Sequence, residues 1–159
     1  MTHPKREALL AAAMEAAERG WRVFPLLPDR KIPAGHSERR CPRTGRCAEG
    51  HLVPEQRATS DPDLIRRCWA QRPYGIGIAT GPSGLVVVDL DAAKPGETPP
   101  EPWAETAGVV DGQDVLAVLA EQACQDVPVD TFTVSTPSGG LHLYYRAPAG
   151  VELRNTGGS

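Results

Sequence analysis

Apolar positions in this chain form helical stripes and short runs separated by long polar stretches. Leu9, Leu10, Ala13, Met14 and Ala17 recur at helical spacing between Pro4, with Thr2 or His3 ahead of it, and Gly20, a natural stop, which predicts a helix over 4–19. A strand follows over 21–27, with Trp21, Val23 and Pro25 on one side, Phe24 on the other, and Pro25 marking an edge or a bend. Ser60-Asp61-Pro62-Asp63 is a helix start, and Leu64, Ile65, Cys68 and Trp69 give that helix a buried stripe as far as Gln71. Val115, Leu116, Val118 and Leu119 line one side of a further helix over 111–124, and strands are expected over 131–135 and 141–146. Residues 92–108 are rich in Pro, Gly and Glu and read as a loop, with Trp103 as its anchor.

The most informative stretch is Gly75 to Asp91, two apolar runs joined by a Gly/Pro/Ser turn. Leu85, Val86, Val87 and Val88 predict a buried strand that ends in Asp89 and Asp91. Side chains two apart on a strand share a face and sit roughly 7 Å apart. Two carboxylates there repel each other and lose hydration, and a hard divalent cation, Mg²⁺ or Mn²⁺, compensates both effects. Asp is also common where a strand turns, which explains Asp91 more easily than Asp89. The Asp-x-Asp ending suits several phosphate-handling enzymes: nucleotide-sugar transferases, aspartyl phosphatases and template-directed polymerases.

Composition narrows the class. At 159 residues with 40% apolar content, the chain has enough for one domain with a core, expected to span 1–159. No apolar run approaches a membrane span and no signal peptide is visible, so a cytoplasmic protein with no membrane partner is expected. Cys41, Cys47, Cys68 and Cys124 are then thiols or metal ligands rather than disulfides. The net charge of −3 conceals an asymmetry: residues 1–72 hold 14 Lys/Arg against 9 Asp/Glu, and residues 73–159 hold 3 against 11. A basic segment beside an acidic one fits phosphate chemistry, and ordinary surface variation produces the same numbers.

Residues 28–59 form an insertion without periodicity, and a loop of that length needs a function or a staple. His36, Cys41, Cys47 and His51 supply two imidazoles and two thiols, with four, five and three residues between successive members. That donor set closes a tetrahedral structural Zn²⁺ site, although the interval between the cysteines exceeds the usual two to four. The plainer reading is a flexible arginine-rich insertion whose His and Cys residues do nothing. The clustering of four of the eight Cys and His residues within sixteen positions favours zinc. Arg30, Lys31, Arg39, Arg40, Arg43 and Arg46 in the same loop are either a solvated surface or a patch for template phosphates.

A second site is expected at Thr136-Pro-Ser-Gly-Gly140. Ser138, Gly139 and Gly140 can offer backbone N–H groups to an anion, and His142 follows on the strand face that also carries Tyr144 and Arg146. Together these would hold the phosphate tail of a nucleotide. A plain hairpin turn leading into a half-exposed strand would also produce this sequence.

The ordered series Gly20-Trp-Arg-Val-Phe-Pro25, Lys31-Ile-Pro33, Arg57-Ala-Thr-Ser-Asp-Pro62, Gly77-Ile-Ala-Thr-Gly-Pro82, Val87-Val-Asp-Leu-Asp91 and Thr136-Pro-Ser-Gly-Gly-Leu-His-Leu-Tyr144 resembles the bifunctional DNA primase/polymerase N-terminal domain. That family belongs to the archaeo-eukaryotic primase superfamily and occurs in plasmid, phage and prophage replication proteins. The resemblance implies an α+β catalytic core whose mixed sheet is RNA-recognition-motif-like and flanked by helices. It also implies a metal-binding role for Asp89 and Asp91 and a contact from His142 to the incoming nucleotide. Arg57, Thr80 and Arg154 are weaker candidates for phosphate or template contact. The implied partners are a DNA template and primer, a (d)NTP, and a replicative helicase, fused or separate. A third acidic motif is expected beyond Leu153-Arg154-Asn155, so the domain is expected to be incomplete at its C-terminus. Two alternatives stand beside this one. The first is a nucleotide-sugar transferase using the Asp pair, and the second a non-catalytic, zinc-stapled nucleic-acid-binding remnant. An aspartyl phosphatase fits less well, because Ala92-Ala93 follows Asp91 in place of Gly-Thr.

Overall fold

A computed structural model describes residues 4–151 and 153. The chain is α+β and divides into two compact units, the first running to Gly84 and the second beginning at Leu85. No described helix is long and apolar enough to cross a membrane.

The first unit begins with helix α1 (Pro4–Glu18), which ends at Gly20 in the left-handed conformation, φ 84°. Thr2 and His3 lie outside the described residues. Strand β1 (Val23–Leu26) is shorter than the expected 21–27, because Trp21 is used in leaving the helix: its N–H donates to the Ala16 carbonyl at 3.0 Å. A short helix α2 (Pro54–Arg57), helix α3 (Pro62–Trp69) and strand β2 (Gly75–Ile78) complete the unit. Strands β1 and β2 pair antiparallel, Val23 opposite Ile78 and Leu26 opposite Gly75. Gly77 is required for space, since a Cβ there would come within 2.5 Å of the Phe24 ring.

The other edge of β1 is also used. Val23 exchanges two backbone hydrogen bonds with Thr59, both 2.9 Å, and Leu26 bridges to Pro33. Pro25 therefore lies between two neighbours. Proline has no N–H to donate on that edge, but its carbonyl accepts from Ala34 N–H at 2.7 Å. The core is Ala13, Ala16, Val23, Ile65 and Trp69, with Leu9, Leu10, Met14, Ala17 and Ile76 packed around it. Alanines on the buried face of α1 let α3 approach closely enough for Trp69 to be enclosed. The Trp69 indole N–H donates to the Tyr74 carbonyl at 2.9 Å, so the buried ring leaves no donor unsatisfied. Cys68 sits beside this core, half-buried, and burial pushes its thiol pKa up.

The second unit contains β3 (Leu85–Leu90), helix α4 (Gly112–Gln122), β4 (Phe132–Ser135) and β5 (Leu141–Arg146). The strands form one antiparallel sheet in the order β3-β5-β4. The two apolar runs of the 75–91 stretch thus belong to different sheets, β2 with β1 and β3 with β5. Strand β3 is also less buried than its composition predicts. Leu85 and Leu90 are buried, while the three valines between them are only half-buried. Asp111 caps α4 by accepting from Gln113 and Asp114 N–H, and Asp114 Oδ2 reaches back to Val110 N–H at 2.9 Å.

Asp61 caps α3 in the same way, accepting from Asp63 N–H at 2.8 Å and Leu64 N–H at 3.4 Å. Asp61→Ala is expected to lower stability by about 1 kcal/mol and Asp61→Ser to restore most of it, as read by urea denaturation.

Candidate functional site

The antiparallel ladder between β3 and β5 builds the site. Val88 and Leu90 pair with Leu143 and Leu141, and the alternation then sets Asp89 directly opposite His142 and Val87 opposite Tyr144. On the far side of β5, His142 faces Val134 and Tyr144 faces Phe132. One face of the sheet therefore carries a carboxylate, an imidazole and a phenol in adjacent positions.

His142 Nε2 lies 3.3 Å from Asp89 Oδ1, with side-chain exposures of 33% and 61%. The Tyr144 ring stands 6.4 Å from the imidazole and meets Phe132 edge-on at 5.6 Å, 81° between planes. Burial, and after it the charge of Asp89, raises the Tyr144 pKa above the ordinary value. Asp91 lies one residue past the end of β3, exposed, with its carbonyl accepting from Gly112 N–H at 2.9 Å. Both aspartates keep access to water, so loss of hydration is not the force that would recruit a cation here. What remains is the donor set: two exposed hard carboxylate groups two residues apart, which suits Mg²⁺ or Mn²⁺. Both also border a cavity of about 460 Å³ whose apolar wall includes Val88, Leu90, Val115, Leu116 and Trp103. That volume falls in the range of small-molecule sites.

The glycine turn differs from its expected role. Gly139 N–H donates to the Thr136 carbonyl at 3.0 Å and Gly140 N–H to Thr136 Oγ1 at 2.9 Å, so both donors are engaged within the turn. The Ser138 hydroxyl pairs with Thr136 Oγ1 at 3.0 Å. Gly140 instead supplies clearance, because a Cβ there would lie 2.5 Å from the Leu90 carbonyl oxygen and 3.3 Å from Ala92 N. Gly112 does the same from α4, where a Cβ would come within 2.9 Å of Asp91 N and Leu90 Cα. Two glycines thus clamp the backbone on both sides of Asp91. Neither their clamping role nor that of Thr136 was visible in the sequence, because each depends on a neighbour distant along the chain.

In the first unit, Thr80 is exposed just beyond β2, and the half-buried Arg57 lays its guanidinium against Gly35. Arg154 lies outside the described residues. The insertion contains two 3₁₀ turns, Glu38–Arg40 and Gly45–Cys47, followed by α2. These turns bring the donor atoms of His36, Cys41, Cys47 and His51 within 4.8 Å of one another, an arrangement that can take a metal ion.

Two expectations follow from this geometry. Gly140→Ala should destabilise the protein by about 1–3 kcal/mol through the clash with the Leu90 carbonyl, measured as a shift of the urea midpoint at unchanged m-value. The second concerns Tyr144, where a raised folded pKa means that the folded state keeps the phenolic proton longer than the unfolded chain does. Its contribution to stability is then complete below the unfolded value, about 10, and is lost as pH rises through the folded value. Tyrosinate absorbance should show Tyr144 titrating late, with Tyr144→Phe identifying its component. In Asp89→Asn that pKa should fall only part of the way, because burial, the larger cause, persists.

No curated protein and no solved structure matches this chain. The sequence model of the bifunctional DNA primase/polymerase N-terminal domain matches residues 13–159, nearly the whole length, and the chain therefore belongs to that family, whose members are nucleotidyltransferases acting on DNA and nucleotides.

Proposed function

We propose that this chain carries out template-directed nucleotidyl transfer and that the face holding Asp89, Asp91 and His142 is its catalytic centre. The observation that carries the reading is the cross-strand pairing of Asp89 with His142 at 3.3 Å, with a second exposed carboxylate, Asp91, two residues on. In the reaction, a primer or initiating 3′-hydroxyl attacks the α-phosphate of an incoming (d)NTP. A new phosphodiester bond forms and pyrophosphate leaves.

Asp89 and Asp91 would hold the divalent ions, Mg²⁺ or Mn²⁺, in a two-metal arrangement. Bound there, the ions would supply Lewis acidity toward the attacking and leaving oxygens. With Nε2 turned to the Asp89 carboxylate, which fixes the plane of the ring, His142 would donate from Nδ1 to the triphosphate only as the imidazolium, in which both ring nitrogens carry protons. Ser138, whose hydroxyl pairs with Thr136 Oγ1, would add a hydroxyl contact to the triphosphate, and Gly140 contributes by letting the turn lie against the backbone of Leu90 and Ala92. The roles of Arg57, Thr80 and Arg154 in phosphate or template contact belong to the same proposal.

On this reading both compact units form one catalytic domain, consistent with a family match that crosses the boundary at Gly84. The three-stranded antiparallel sheet with α4 is the RNA-recognition-motif-like part of it. The protein would serve replication of a plasmid, phage or prophage in the cytoplasm, working with a helicase that is fused or separate.

The test is template-dependent primer synthesis and extension with Mg²⁺ or Mn²⁺, comparing this chain with Asp89→Asn. The substitution should reduce extension by about two orders of magnitude or more while the circular dichroism spectrum and urea midpoint stay close to those of the parent. Undiminished extension by Asp89→Asn would overturn the mechanism. DNA binding with no nucleotide turnover by the parent would favour a non-catalytic module, and preferential binding of a sugar nucleotide over a (d)NTP would favour the transferase.

A further inference from the structure

Residues 28–57 fold without an apolar core. Among these thirty residues only one side chain is buried, and it is the thiol of Cys47, 4% exposed. Around it lie His36, Cys41 and His51, each half-buried. Cys47 Sγ stands 3.7 Å from His36 Nε2, and the His36 and His51 rings meet at 5.3 Å between centroids with 62° between their planes. His51 Nδ1 is buried and has no hydrogen-bond partner among the described residues. A buried ring nitrogen left without a partner is costly, and no protein group nearby relieves it.

We infer that His36, Cys41, Cys47 and His51 bind one Zn²⁺ in a closed tetrahedral structural site. Several observations converge on this ion rather than another. Two thiols and two imidazoles are the soft and borderline donors that Zn²⁺ takes, whereas Mg²⁺ and Ca²⁺ require oxygen. With Zn–S of about 2.3 Å and Zn–N of about 2.0–2.1 Å, the edge of a tetrahedron between a sulfur and a nitrogen is about 3.5 Å. The 3.7 Å separation of Cys47 Sγ and His36 Nε2 already approaches it. Binding releases the two thiol protons, so the dication and two thiolates form a neutral centre that a half-buried loop can hold. All four positions are filled by protein, which makes the site structural and gives it no place for a substrate.

Local backbone brings the donors together. Cys41 N–H closes the first 3₁₀ turn onto the Glu38 carbonyl at 3.1 Å, and Cys47 ends the second, where its own carbonyl accepts from Gly50 N–H at 3.1 Å. Arg43 and Gly45 reverse the chain between them at φ 53° and 55°. The loop is tied at its start by Leu27 N–H to the Ile32 carbonyl and Ala34 N–H to the Pro25 carbonyl, and at its end by the Arg46 guanidinium donating to the Arg57 carbonyl. The ion would supply the interior that these surface hydrogen bonds do not.

The inference is independent of the catalytic reading, and its test separates the two. The full chain, reconstituted with Zn²⁺ under reducing conditions and dialysed, is assayed for metal by plasma mass spectrometry. Replacement by Co²⁺ then reads the geometry. One zinc per chain is expected, with intense visible cobalt bands of a four-coordinate site and a thiolate charge-transfer band. Cys41→Ser and Cys47→Ser should lose the metal and open the 28–57 segment to trypsin, whereas Cys68→Ser, Cys124→Ser and Asp89→Asn should keep it. Absence of zinc from the reconstituted parent, a six-coordinate cobalt spectrum, or full zinc retention in the Cys41→Ser Cys47→Ser double variant would each overturn the assignment.

Discussion

The register of β3 against β5 is the constraint on which the proposed site depends. A slip of one residue would turn Asp89 and His142 to opposite faces of the sheet. What prevents the slip is apolar and steric rather than electrostatic: Leu90 and Leu143 are buried on the opposite face, and Gly140 and Gly112 close on the backbone around Leu90 and Asp91. The Asp89–His142 pair is exposed enough for water to screen it, so it benefits from the register far more than it enforces it. Polar chemistry here rests on hydrophobic bookkeeping one pleat away.

Much of this was legible from local pattern. The helix start at Ser60-Asp61, the stop at Gly20 and the six residues of β5 follow from short-range rules, and the structure places them where those rules predict. Pairing was not legible. Nothing in the periodicity of residues 75–91 says that β2 and β3 part into separate sheets, because strand partners are chosen by residues far along the chain. The use of Gly139 and Gly140 failed to read through for a related reason. A Ser-Gly-Gly turn looks open to an anion until the preceding threonine is seen to take both N–H groups. Exposure of the aspartates is likewise tertiary information, and the run of valines in sequence overstated their burial.

The first unit illustrates two ways of ordering a chain. Between α1, α3 and β1, order comes from enclosing Trp69, Ile65 and Val23. Between Pro28 and Arg57 there is no such interior, and the sequence compensates with turns, left-handed residues and four convergent donors. Spacing singled out these four residues, and the structure brings their donor atoms within 4.8 Å of one another. Spacing was silent on which of them would be buried, and Cys47 proved to be the one.

Strand β4 has a different standing from its neighbours. All four of its residues are exposed, and beyond its ladder to β5 it is held by the Phe132 ring meeting Tyr144 edge-on and, just before it, by the Thr131 hydroxyl bound to the Tyr144 carbonyl. Segments that bury so little open at low free energy, well before the whole fold does. Amide protons on the β4 side of β5 should therefore exchange early and those shared with β3 late. His142 would then lose Val134 on one flank during such openings while Asp89 stays beside it on the other, so the imidazole and carboxylate can remain paired through a fluctuation that frees one edge of the sheet.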